Sequence, residues 1–135
     1  MQITRRKDLP SFSPGKGNPI ITPFVGDADT NVAMFELYIP RGVTAPPHTH
    51  AGSTLALHIV SGTITVLDGD TRHRLAPGHS VLVAADEKIG LENKNDEPVR
   101  IIAAVGPGTF LGNVRSLPEV DKKDRPNISY GSWID

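Results

Sequence analysis

Residues 54–83 read TLALHIVSGTITVLDGDTRHRLAPGHSVLV. Short runs of β-prone residues are separated here by the turn signals Ser61-Gly62, Asp68-Gly69 and Pro77-Gly78. Residues 63–67 alternate polar and apolar side chains, which is typical of a half-buried strand. Asp-Gly between two such runs is a strong hairpin signal. The stretch therefore predicts four consecutive short strands, at 54–60, 63–67, 71–75 and 80–84.

The same rhythm continues in both directions from this stretch. The runs on either side predict four more strands, at 20–24, 32–39, 88–92 and 99–105, and the segment 43–47 leads from the turn at Arg41-Gly42 to His48. Strands that recur at this spacing, with turn signals between them, indicate a β-sandwich or β-barrel. The 13 glycines and 12 prolines agree with this, because so many helix breakers cannot be placed in long helices.

Length and charge restrict the function classes. The chain has 135 residues, enough for a single domain, with 14 Lys and Arg against 15 Asp and Glu. Without a basic excess, a nucleic-acid partner is not expected. The sequence has no apolar run long enough to cross a bilayer, and its first eight residues are polar and do not form an export signal. We expect a cytoplasmic protein with no membrane partner.

The predicted organisation is one domain over residues 1–135. A Pro- and Gly-containing arm (1–19) precedes a barrel core at about 20–106, and a tail (107–135) follows. No amphipathic helix is expected before the tail, and the charged run 119–125 is predicted to be a solvated loop or one helical turn. The tail carries Tyr130 and Trp133, and we expect it to dock either on its own barrel or on a partner subunit.

All five histidines lie between His48 and His79. In His48-Thr49-His50, an extended backbone places both imidazoles on one face, because side chains alternate along a strand. Two neutral imidazoles on one face are a natural start for a transition-metal site. The protein has no cysteine, so any metal site must use histidine and oxygen ligands.

The context of this pair resembles the cupin superfamily. Gly42, His48, His50 and Gly62 are spaced like the first cupin motif. The segment 75–83, followed by Asn93, is similar to the second motif, and the predicted hairpin from Gly62 to Gly69 fits between the two. The resemblance implies an all-β double-stranded β-helix, or jelly-roll barrel, that is often dimeric, and we expect a homodimer.

The sequence departs from the cupin pattern where it matters most for metal binding. The family pattern has a glutamate ligand at the position of Leu55 and a histidine ligand at the position of Ile89. Neither leucine nor isoleucine binds a metal. His79 and Ala84 replace the usual Asp and Pro of the second motif. Of the four usual ligands, only the equivalents of His48 and His50 remain.

Other polar residues have weaker claims on a site. We expect the three remaining histidines to be structural or on the surface, and Glu92 to face outward. Arginines near the barrel could bind an anionic substrate, and two hydroxyls could replace the lost carboxylate, although outward-facing or local structural roles are the simpler expectation. These candidates are His58, His73 and His79; Arg41, Arg72, Arg74 and Arg100; and Ser53 and Thr54.

The resemblance implies an enzyme that modifies a small oxygenated organic molecule, by dioxygenase or by isomerase or cyclase chemistry. His48 and His50 are the predicted catalytic residues. They are also the predicted ligands of a divalent metal such as Fe, Mn, Ni or Zn, which the protein can also lack. The alternative is a metal-free cupin that binds a small molecule or acts as an accessory protein, with the two histidines acting through hydrogen bonds or acid–base chemistry.

Overall fold

The structure is a computed structural model and describes residues 1–127. Tyr130 and Trp133 lie outside the described residues, so the docking predicted for them stays a prediction. The described chain contains nine strands and one short α-helix, in this order: β1 (Ile20–Val25), β2 (Ala33–Ile39), β3 (Thr44–His48), β4 (Thr54–Ser61), β5 (Ile64–Asp68), β6 (Thr71–Leu75), β7 (Ser80–Val83), β8 (Ile89–Glu92), β9 (Val99–Gly106) and α1 (Phe110–Arg115).

The strands form two antiparallel sheets that enclose the core. The larger sheet has the order β1-β2-β9-β4-β7 and the smaller sheet the order β3-β8-β5-β6. Apart from the hairpin pairs β1–β2 and β5–β6, strands that follow one another in sequence lie in different sheets. This arrangement confirms the predicted all-β jelly-roll barrel. The eight predicted strands are all present, with ends that differ by at most one residue, whereas β3 was not predicted as a strand.

Alternation along the strands decides which side chains face the core. Along β9, every second residue from Val99 to Val105 is buried. On β4, the buried residues Leu55, Leu57 and Ile59 alternate with exposed ones. Because β4 pairs directly with β9, their buried side chains form a continuous apolar layer on the inner face of the larger sheet.

The turn between β4 and β5 requires a glycine at position 62. Gly62 has a φ of +78°, a backbone conformation that L side chains rarely adopt. A Cβ built at this position would lie 2.3 Å from the carbonyl oxygen of Pro98. The turn therefore packs tightly against the chain before β9, and the Ser61-Gly62 signal in the sequence corresponds to a true structural requirement.

The segments outside the barrel meet at the β1 edge of the larger sheet. Phe12 of the arm forms β-bridges both to Ile21 of β1 and to Glu119 beyond α1. Helix α1 follows β9 and was not predicted. It has only six residues, of which Leu111 and Val114 are buried, so its apolar pattern is too short to be recognised. The charged run contains a single 3-10 turn at Lys122–Asp124, as expected.

A buried carboxylate attaches the arm to the sheet. Glu36 of β2 is 0% exposed. Its Oε1 accepts a hydrogen bond from Arg6 Nη2 at 2.7 Å, and its Oε2 accepts hydrogen bonds from Arg6 Nε at 2.8 Å and Arg100 Nε at 2.9 Å. The negative charge of Glu36 therefore lies between two guanidinium groups, one from the arm and one from β9.

Helix α1 is far shorter than a membrane-spanning helix, and no other helix among residues 1–127 is long and apolar enough to cross a bilayer.

Candidate functional site

The structure brings His48 and His50 together, at the end of β3 and just beyond it. The centroids of their rings are 4.6 Å apart and the ring planes are inclined by 50°. This is the juxtaposition that the His-Thr-His spacing predicts for an extended chain. His48 is exposed, whereas His50 is only 7% exposed. The pair therefore leads from the protein surface into the barrel.

Aromatic side chains enclose the inner histidine. The ring of Phe110, on α1, meets the ring of His50 edge-on, with a centroid distance of 5.4 Å. Phe110 in turn packs against Phe35 of β2, with ring centroids 5.6 Å apart. Helix α1 thus closes the barrel over His50. The sequence offered no signal for the role of Phe110, because the helix that carries it is too short to be predicted.

The two imidazoles differ in their hydrogen bonds. His48 Nδ1 lies 2.8 Å from the carbonyl oxygen of Pro46. A carbonyl oxygen only accepts, so Nδ1 of His48 carries the proton, and the neutral ring presents its lone pair on Nε2. His50 Nδ1 is buried, and no residue in the described part of the chain gives it a hydrogen-bond partner. A buried polar atom of this kind costs about 1–3 kcal/mol of stability until a ligand supplies the partner.

Burial determines the charge of the inner histidine. Desolvation, together with the nearby His48, lowers the pKa of His50 to about 4. An isolated histidine has a pKa of about 6.5. At neutral pH, His50 is therefore an uncharged imidazole that can donate or accept a hydrogen bond or bind a metal.

The low pKa of His50 makes the stability of the protein depend on pH. Between about pH 6.5 and pH 4, the unfolded chain binds a proton at this histidine and the folded chain does not. The contribution of His50 to the free energy of unfolding is thus fully present above pH 6.5 and is lost as the pH falls through this window. We expect urea titrations from pH 7 to 4 to show a shallower decline for His50→Phe than for the wild type. The exposed His73, replaced by alanine, should keep the wild-type slope; equal slopes for His50→Phe and wild type would refute the assignment.

A strained turn fixes the position of His50. Ala51 has a φ of 53° and Gly52 a φ of 76°, and the Ser53 N–H donates to the His50 carbonyl oxygen at 3.0 Å. Positive φ at both central positions is typical of a type I′ turn. Ser53 is fully buried, and its hydroxyl donates to the Pro107 carbonyl oxygen at 2.7 Å and lies 3.0 Å from Thr109 Oγ1. Ser53 therefore ties the turn to the segment before α1, and its hydroxyl has a structural role.

The positions of the two missing cupin ligands are part of the apolar core. Leu55 is 3% exposed and lies between Val83 and Val105 in the larger sheet. Ile89 is 5% exposed and lies directly opposite His48 in the pairing of β3 with β8. Among residues 1–127, no group of three or more His, Cys, Asp or Glu side chains is placed to hold a metal ion. Catalytic zinc sites use three protein ligands, so the two imidazoles alone do not make such a set.

The other histidines have separate surroundings. His58 is exposed, and its Nδ1 lies 2.7 Å from the hydroxyl of Ser80 on the neighbouring strand β7. His79 Nδ1 accepts a hydrogen bond from the Ala76 N–H at 2.8 Å. His73 is exposed on β6. None of the three forms a metal-binding group with the His48–His50 pair in the described chain.

Two of the four candidate arginines pair with carboxylates. Arg100 binds Glu36, and Arg72 binds Glu92. Glu92 was expected to face outward, and it lies opposite Thr44 and Thr65 on the outer face of the smaller sheet, but it is only 9% exposed. Arg72 and Lys94, whose Nζ lies 3.5 Å from the carboxylate, enclose it. The remaining candidates from the sequence are exposed: Arg41, Arg74 and Thr54.

Comparisons with known proteins agree with this architecture. Residues 34–105, more than half of the chain, match the family described as Cupin domain. Among curated protein sequences, none matches the chain.

Three solved structures illustrate the structural similarity. An RmlC-like cupin from Shewanella frigidimarina superposes with a TM-score of 0.68 at 14% identity, covering 79% of this chain and 91% of the other. The polyketide cyclase RemF from Streptomyces resistomycificus gives a TM-score of 0.67 at 15% identity, covering 78% and 79%. A predicted oxalate decarboxylase from Thermotoga maritima gives 0.66 at 15% identity, covering 78% and 98%. The matched motifs, the two-sheet barrel and the family match together show that this chain belongs to the cupin family.

Proposed function

We propose that this protein is a small-molecule-modifying cupin in which His48 and His50 bind an oxygenated organic substrate at the mouth of the barrel and transfer a proton on it. The observation that carries the proposal is the buried Nδ1 of His50, which has no hydrogen-bond partner in the described chain and lies beside a second imidazole. A substrate oxygen that reached this nitrogen would satisfy it.

The two histidines have different roles in this proposal. His48 is exposed, and its hydrogen bond to Pro46 leaves the Nε2 lone pair free to accept a proton from the substrate. His50 is uncharged at neutral pH, so it forms a hydrogen bond with a substrate oxygen as charge shifts during the reaction. The centroids of the two rings are 4.6 Å apart, so both can contact one small substrate. A base beside a neutral hydrogen-bonding group suits proton transfer between a carbon and an oxygen of that substrate.

The surroundings of the pair favour a largely apolar substrate. Phe110 covers His50, and the apolar Ile89 lies opposite His48. Apolar walls with a few polar groups are typical of small-molecule sites, since the polar groups orient the ligand and the walls exclude water.

The ligand set favours isomerase or cyclase chemistry over dioxygenase chemistry. Leu55 and Ile89 occupy the positions of two usual metal ligands and cannot coordinate. An isomerase or a cyclase can proceed by proton transfer alone, whereas oxygen activation at a metal requires a firmly held ion. The fold similarity to a polyketide cyclase is compatible with this choice.

Metal analysis separates this proposal from a metal-dependent one. We expect elemental analysis of the purified protein to find well below one Fe, Mn, Ni or Zn per chain. The combined His48→Ala and His50→Ala variant should give the same low content. A stoichiometric metal in the wild type that is lost in this variant would overturn the metal-independent mechanism and support a centre completed by the substrate.

Turnover separates the enzyme from a binding or accessory protein. A panel of phenolic and β-dicarbonyl compounds can be screened by NMR for both imidazole shifts and product formation. For a compound that is converted, we expect His50→Ala to lower kcat/KM by about 10²-fold or more, while the matched surface variant His73→Ala keeps the wild-type value. Binding at the two imidazoles without any conversion would favour the accessory role.

A further inference from the structure

A groove lies on the outer face of the larger sheet, on the side opposite the barrel interior. We call it the outer groove; it has a volume of about 830 Å³. Its apolar floor is formed by Phe24 and Val25 of β1 and Met34 of β2. Its walls are formed by the arm on one side and the segment beyond α1 on the other. The lining residues in these walls include Thr4, Lys7, Leu9, Lys122, Lys123 and Asn127.

The described chain ends inside this groove. Pro126 and Asn127 both line it. Two arginines hold this end of the chain in place: Arg6 Nη1 donates to the Pro126 carbonyl oxygen at 3.2 Å, and Arg125 Nη1 donates to the Leu9 carbonyl oxygen at 3.3 Å. The last described residue, Asn127, therefore lies at the groove itself.

We propose that the C-terminal segment, residues 128–135, docks in the outer groove of its own chain. The segment reads ISYGSWID, so it carries two isoleucines, a tyrosine and a tryptophan, and no basic residue. These side chains match the apolar floor at Met34 and Phe24. Burial of large aromatic side chains is the main source of binding energy for such a segment.

Charge and reach support the same occupant. Three lysines line the walls of the groove, at positions 7, 122 and 123. The only charged side chain in the segment is the acidic Asp135. Eight extended residues reach about 26 Å, whereas neighbouring strands are only about 5 Å apart, so the segment can cover the floor. Because the segment is already attached at the groove, its effective concentration there exceeds that of a separate partner.

The experiment uses Trp133, which is the only tryptophan of the protein. Its fluorescence therefore reports on the C-terminal segment alone. In the intact wild type, we expect emission at a shorter wavelength than in denaturant, and weak quenching by acrylamide. Met34→Glu places a charge on the groove floor and should move the emission to longer wavelength, with a several-fold larger quenching constant. Met34→Gln, which keeps the length of the side chain, should give an intermediate effect and serves if the glutamate variant does not fold.

Leu82→Glu is the matched control. Leu82 is exposed on the same face of the sheet, but on β7 and outside the residues that line the outer groove. This variant should keep the wild-type emission. If the segment docks on its own chain, the Trp133 emission of the wild type should not change when the protein is diluted. Light scattering would measure the molar mass of the protein at each concentration.

Three results would overturn the proposal. Wild-type emission equal to that of the denatured chain would mean that Trp133 docks nowhere. Shielding that persists in folded Met34→Glu would place the segment elsewhere. Shielding that disappears on dilution, together with dissociation of a dimer, would assign the segment to a second copy of the chain.

Discussion

Replacing Glu36 with alanine is expected to lower the free energy of unfolding by about 3–5 kcal/mol. The carboxylate of Glu36 is completely buried and binds Arg6 and Arg100, whose side chains are only 12% and 14% exposed. Without Glu36, two guanidinium groups remain close together with that compensating negative charge removed. For a chain of this size, a loss of this magnitude lowers Tm by about 10 °C or more. Urea and thermal unfolding followed by circular dichroism would measure both quantities.

A surface ion pair provides the comparison. Arg115 Nε lies 3.0 Å from Asp27 Oδ1, but both side chains are substantially exposed. Arg115→Ala should cost less than about 1 kcal/mol, because water screens and replaces such a pair. A loss for Glu36→Ala as small as that for Arg115→Ala would show that the buried cluster does not hold the arm on the sheet.

Introducing a histidine at position 89 is expected to create a metal site. Ile89 lies directly opposite His48, and Cβ atoms of opposite residues in an antiparallel pair are about 4.5–5.5 Å apart. Ile89→His therefore brings a third imidazole to the pair, and three histidines suffice for a catalytic zinc site. We expect Zn²⁺ to bind at least about tenfold more tightly than to the wild type, a gain of about 1.4 kcal/mol or more, measured by calorimetry.

The control for this variant lies two residues further along the same strand. Leu91 is also buried, but it lies opposite Ala45 instead of a histidine. Leu91→His should carry a similar penalty for burying a polar group, about 1–3 kcal/mol, without the gain in affinity. In the metal-free state, both variants should be less stable than the wild type, and only Ile89→His should be rescued by Zn²⁺. Equal affinities for the two variants would show that position 89 does not face the histidine pair.

The local patterns of the sequence were enough to predict the fold. Eight of the nine strands followed from alternation and turn signals, because a glycine such as Gly62 is required where φ is positive and another backbone passes close by. The pairing of His48 with His50 was also predictable, since it depends only on the alternation of side chains in extended chain.

The depth of the site was not predictable from these patterns. Alternation places His48 and His50 on one face but does not show that only His50 is buried. One of the side chains packed on His50 is Phe110, a residue distant in sequence and carried by a helix of six residues. The low pKa of His50 follows mainly from its burial, with a further contribution from His48, and burial also leaves its Nδ1 without a partner in the described chain. In the same way, the burial of Glu92 depends on Arg72, which lies on a strand that is not its direct neighbour.

The two bridges of Phe12 have a consequence for biosynthesis. Phe12 pairs with Ile21, close by in sequence, and with Glu119, which is translated far later. A growing chain can thus place its arm along β1 early, but it cannot complete this part of the structure until residue 119 has left the ribosome. Until then, one side of the arm still offers backbone hydrogen-bonding groups to other chains. Nascent chains released before this point are therefore expected to be the species most prone to aggregation.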